Sequence, residues 1–88
     1  MLLAIEVADT SLRFDRIRKS RVYVANGLPE YWIIETGAGR LHRHRRPIAE
    51  ESRFASVDVL EAPFVVSPTA LPTLRLSSGE IWPADAGA

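Results

Sequence analysis

Cysteine is absent from this chain, which excludes disulfides and thiolate-bound metals. There is no long hydrophobic run. The opening MLLAIEVA meets Glu6 too soon to be a signal peptide or a membrane span, so a cytoplasmic protein with no membrane partner is the default expectation. Net charge is also lacking, at zero near neutral pH. No glycine-rich phosphate loop, nucleophile elbow or zinc-finger spacing occurs. With 88 residues the chain forms at most one small, marginally stable domain, or a piece of a larger one. We place it at residues 1–83, with 84–88 as a frayed tail.

The balanced total hides an uneven distribution. Residues 10–46 carry nine Lys/Arg against three acids, whereas 47–88 carry two against six. Two accounts fit: an anionic partner for the basic part, or mutual attraction of the two parts within one fold.

Patterning gives a short set of elements. Leu2–Val7 is a compact apolar run that reads as a central strand covered on both faces. Asp9, Thr10 and Ser11 offer N-capping side chains for a helix starting there or near Phe14. From Asp15 to Asn26 the periodicity is helical, with Ile17, Ser20 and Val24 on one side and Asp15, Lys19, Val22 and Tyr23 on another. Asn26-Gly27 stops it, and Pro29 prevents resumption. Tyr31–Thr36 is rich in aromatic and β-branched residues and reads as a strand. Gly37-Ala38-Gly39 turns it into a partner strand over Arg40–Arg46, and Arg53–Glu61 supplies another whose phase slips between Phe54 and Val57. Pro63, Pro68 and Pro72 interrupt the chain beyond Glu61, so Phe64–Val66 and Leu74–Leu76 are at most short edge segments. Ser77–Trp82 is a candidate helical turn that packs Ile81 and Trp82. The class is α+β, one main helix on a mixed sheet of four or five strands.

Glu6 and Lys19 carry the chemistry. An acid in a buried strand is costly unless it is paired, hydrogen-bonded or bound to a metal. Glu6 is therefore either a metal ligand or the partner of a cation such as Lys19. Lys19 alternatively makes a helical pair with Asp15. Arg13, Arg16, Arg18 and Arg21 on the helix either neutralise nucleic-acid phosphates or form a solvated face. In LHRHRR, His42 and His44 share a strand face, a weak metal grip without a third ligand. Arg43 and Arg45 offer phosphate contacts, and an exposed hairpin is the simplest account of the run. Tyr31 and Trp32 read as core or interface aromatics.

The order of these residues resembles a known family. Glu6-Val7, Ser11, Asp15-Arg16, Lys19, Tyr23, Gly27, Pro29-Glu30-Tyr31-Trp32 and Leu71-Pro72 resemble the C-terminal half of the Uma2 family, whose fold is similar to the restriction-endonuclease core of the PD-(D/E)XK superfamily. The resemblance spans most of the chain and is most specific before Arg46. It implies a partial restriction-endonuclease-like fold in which Glu6 is a metal-binding acid and Lys19 the superfamily's catalytic lysine, moved onto the helix. It also implies Mg²⁺ as cofactor and DNA as substrate. The family's first metal-binding aspartate, on an earlier strand in a QPD-like motif, has no counterpart here. Leu2 stands where another Asp commonly occurs. The expectation is thus a truncated relative of an Mg²⁺-dependent DNA endonuclease, inactive alone, whose open sheet pairs with a second copy or another chain. The alternative is a non-catalytic module binding nucleic acid or protein through the basic helix and hairpin.

Overall fold

The computed structural model describes residues 2–8 and 12–82, with residues 12–16 described by backbone alone. Four strands form one mixed sheet in the order β1-β2-β3-β4: β1 (Ala4–Ala8), β2 (Glu30–Glu35), β3 (Arg40–Ile48) and β4 (Arg53–Glu61). Helix α1 (Leu12–Ala25) connects β1 to β2, which run parallel, while β2–β3 and β3–β4 are antiparallel. A parallel pair requires such a crossover, because no tight turn brings the chain back in the same direction. A short pair, β5 (Val65–Val66) with β6 (Leu76–Ser77), and the single-turn helix α2 (Ser78–Ile81) complete the fold. The expected α+β class with a mixed sheet is the one adopted.

α1 ends where the sequence stops it. Gly27 takes φ 74°, the left-handed value that favours glycine. The Leu28 amide then donates back to the Tyr23 carbonyl at 3.0 Å, and the Gly27 amide to Val24 at 3.0 Å. This closure satisfies carbonyls that the helix end would leave open. The capping side chains at 9–11 and the tail at 83–88 lie outside the described residues.

Alternation along β2 divides the core. Tyr31 and Ile33 face α1 and pack with Val24, Leu28 and Phe54. Trp32 turns the other way and packs with Leu41 and Val66, and with Leu60, Phe64, Leu76 and Ile81 of the returning chain. The phase slip in β4 is real. Val57 lies opposite His44, yet Phe54, three residues away, also reaches the helix side and sits beside Tyr31 and His44. Arg46, at φ 59° on the facing strand, marks the irregularity. In α2, Ser77 and Glu80 form a reciprocal capping box, Ile81 enters the core, and Trp82 meets Phe64 edge-on at 6.0 Å.

Two expectations change. Among the described residues β1 pairs on one side only, so it is an edge strand, and Ile5 and Val7 remain 49% and 66% exposed. An apolar run does not report how many neighbours its strand has. The segment LHRHRR is likewise no exposed hairpin, since Leu41, His42 and His44 are buried in the interior strand β3.

Candidate functional site

Glu6 lies opposite Ile33 in the β1–β2 register. Its side chain therefore shares the helix-facing side with Ile33, where α1 supplies donors. Lys19 and Tyr23 stand four residues apart, one turn along α1, and so project from one face of the helix. The Lys19 ammonium donates to Glu6 Oε2 at 2.7 Å, and the Tyr23 hydroxyl donates to Oε1 at 2.7 Å. Both carboxylate oxygens are thus engaged. The pair is only partly covered, with the Glu6 and Lys19 side chains 26% and 36% exposed.

These bonds set the charge state. The Lys19 hydrogen bond, reinforced by that of Tyr23, holds the Glu6 carboxyl below the usual carboxylate range despite its partial burial. The same carboxylate pushes the Tyr23 phenol upward, chiefly because losing its proton would forfeit the hydrogen bond to Glu6, with partial burial and the nearby negative charge adding to the effect. Tyr23 is itself anchored by the Tyr31 ring at 4.7 Å. Glu6 is consequently an anion at neutral pH with a bound cation beside it.

Further across the same face, His42 lies opposite Ile33 on β3, with Nε2 at 2.9 Å from Glu35. Arg40 lies 3.6 Å from Glu35 and bonds Glu61 at 3.0 Å. His44 packs at a tilt against Tyr31 and edge-on to Phe54, with Nδ1 at 3.2 Å from the Tyr31 carbonyl. The two histidines share a face, as their spacing requires, but as interior residues. Among the described residues no three of His, Asp and Glu stand close enough to hold a metal ion. The donor set therefore does not fit a divalent metal by itself: there is one carboxylate, with both oxygens engaged, where Mg²⁺ ordinarily takes several oxygen ligands.

The arginines named as phosphate contacts are placed differently from one another. Arg43 donates from Nε to Glu30 at 2.7 Å and from Nη2 to the Ser67 carbonyl at 2.6 Å. Arg45 pairs with Asp58 at 2.8 Å. Arg18 is exposed on α1, and the side chain of Arg16 lies outside the described residues. Sequence reasoning missed the partner of Arg43. Glu30 is 2% exposed and accepts from Trp32 Nε1 at 2.7 Å, Arg43 Nε at 2.7 Å and the Thr69 amide at 2.8 Å. The signal was present, because Glu30 and Trp32 are two apart on a strand and Arg43 lies opposite Trp32 once the hairpin register is drawn.

Among the described residues no helix is long and apolar enough to cross a membrane. The model of a family described as "putative restriction endonuclease" matches residues 1–79. No curated protein and no solved structure matches the chain.

Proposed function

The chain belongs to the Uma2 family of restriction-endonuclease-like proteins, and on that premise we propose that it carries part of a DNA phosphodiester-cleaving site built on Glu6 and Lys19. The observation supporting this is the 2.7 Å contact between them. An acid on a strand and a lysine 13 residues later on a helix meet at a partly open surface. Restriction-endonuclease-like nucleases generally use divalent metals; an ion held by Glu6 together with further acids would supply water activation and charge stabilisation at a phosphate. Mg²⁺ is the ion this reading favours. Within the chain, Glu6 presents a carboxylate held below the usual range by Lys19 and Tyr23, and Lys19 a cation able to turn to a phosphate oxygen. Tyr23 fixes the carboxylate in place while Lys19 moves.

Because the described donor set does not suffice for a metal, the described fold is inactive by itself on this reading. The completing acids come from residues outside those described or from another chain. Arg16 and Arg18 on α1 are the candidate contacts to the flanking backbone. Arg43 and Arg45 are held by Glu30 and Asp58 and serve the fold first.

The test is nicking of supercoiled plasmid in Mg²⁺ and in Mn²⁺ by the wild type, Glu6→Gln and Lys19→Ala. Metal-dependent nicking lost in both variants means that a complete site assembles around this pair. Nicking that survives both substitutions refutes the assignment of Glu6 and Lys19. If no nicking occurs, DNA binding that weakens steeply with salt retains a role at phosphates, and absence of binding at low salt removes it.

A further inference from the structure

A cleft of about 540 Å³ opens between α1 and the start of β4, on the opposite flank of the helix from Glu6. Sites for small ligands span about 300–1,000 Å³. Its walls are apolar: Ile17 and Val57, 47% and 45% exposed, flank the opening, and Phe54 lies deeper. Its polar groups are mostly donors that lack acceptors. Ser20 is 9% exposed, yet its hydroxyl has no hydrogen-bond partner among the described residues, a costly arrangement for a buried polar group. Arg21 is exposed and makes no ion pair among them. Arg53 donates from Nε to Glu51 at 2.6 Å, which leaves its two terminal nitrogens for another acceptor. Arg21 and Arg53 against Glu51 leave one positive charge in the lining.

Such a cleft suits a singly charged, oxygen-rich anion attached to a flat apolar body. A nucleotide within a strand has this make-up, since each phosphodiester carries one negative charge and every base has an apolar face. The position of the cleft narrows the class further. Lys19 and Arg21 are two residues apart, about 200° round the helix, and exposed Arg18 stands on the outer side between them. A chain that reaches from Lys19 to the cleft must pass over α1, a cylinder about 10–12 Å across. Duplex DNA, with a persistence length of about 50 nm, does not follow so tight a curve. A single strand does.

We infer that the cleft takes one nucleotide of single-stranded DNA, whose neighbouring phosphates cross α1 over Arg18 to Lys19. Arg21 and Arg53 hold the phosphate from two sides. The base lies against Ile17, Phe54 and Val57, and the Ser20 hydroxyl donates to an acceptor on it. The link to Lys19 and to cleavage rests on the nuclease reading above, whereas the cleft stands on its own donors.

Fluorescence anisotropy of an end-labelled thymidine oligonucleotide, without added metal, tests the cleft apart from cleavage. The strand should bind more tightly than a duplex of equal length. Arg21→Ala and Arg53→Ala should each weaken it about tenfold, as for lost charge-assisted hydrogen bonds, and each should reduce the salt slope by about 0.7. Both arginines are exposed, so circular dichroism should stay unchanged. Ser20→Ala should weaken binding with the slope unaltered. Arg75→Ala removes an equal exposed charge elsewhere and should have little effect. No binding at low salt, a duplex bound as tightly as the strand, or an Arg75→Ala loss equal to that of Arg21→Ala overturns the inference. Thymidine monophosphate bound as tightly as the strand marks a site for a free nucleotide and also overturns it. If the strand binds through the cleft but Mg²⁺ and Mn²⁺ bring no cutting, the nuclease reading falls and the cleft remains. Cutting that Arg21→Ala and Arg53→Ala leave unchanged overturns the cleft and spares that reading.

Discussion

Replacing Arg43 with alanine should be among the most damaging single changes in the described fold. Glu30 is 2% exposed and the Arg43 side chain 17%, so the substitution strands a carboxylate away from water. Breaking a buried pair from one side costs about 3–5 kcal/mol, against a total stability of roughly 4–13 kcal/mol for a chain of this length at typical values per residue. The deficit should also depend on pH. Burial pushes the Glu30 carboxyl up, but the Thr69 amide, then Arg43, then the Trp32 indole together hold it below the usual range. A depressed carboxylate contributes stability that is fully present above its unfolded value, about 4.3 for glutamate, and lost as pH falls through the folded value. The gap between wild type and Arg43→Ala should therefore be large at pH 7 and shrink in acid, as Glu30 takes up its proton. Urea unfolding followed by tryptophan fluorescence reads this directly, since Trp32 is buried and bonded to Glu30. Glu30→Gln combined with Arg43→Ala should cost less than the sum of the single changes, with a coupling of about 0.5–3 kcal/mol. A deficit below about 1 kcal/mol, the level of a surface ion pair, or one independent of pH, would refute the reasoning.

Two further predictions concern the helix. In carboxyl NMR titrations Glu6 should titrate below the ordinary glutamate value, and Lys19→Met should move it upward; an ordinary value in the wild type contradicts the paired geometry. At Gly27 an added Cβ meets nothing within 4 Å, so Gly27→Ala should destabilise only through its left-handed backbone, by about 1 kcal/mol. Gly27→Asn should recover part of that loss, and an unchanged melting temperature for Gly27→Ala sinks the argument.

Local signals carried much of the fold. Gly27 ends α1, Gly37–Gly39 turn β2 into β3, and the Ser77–Glu80 pair announces α2, each through chemistry contained within a few residues. The β4 phase slip could be read for the same reason. Strand position was not legible, because Leu2–Val7 looks equally apolar at an edge or in the interior. His42 and His44 looked exposed because their arginine neighbours dominate the composition, yet alternation turns the histidines inward. The Glu6–Lys19 meeting was anticipated by the cost of an acid in an apolar strand. The Glu30–Arg43 pair needed the hairpin register, which is non-local information that no window of composition contains.

The two donors on Glu6 also govern how α1 rests on the sheet. Lys19 and Tyr23 stand one turn apart and grip separate oxygens of one carboxylate, so the helix cannot roll about its own axis without loosening at least one of them. Tyr23 is further wedged against the Tyr31 ring. Anything that claims Oε2 from Lys19 leaves the carboxylate held to α1 by Tyr23, while Val24 keeps the helix seated on Tyr31, Ile33 and Phe54.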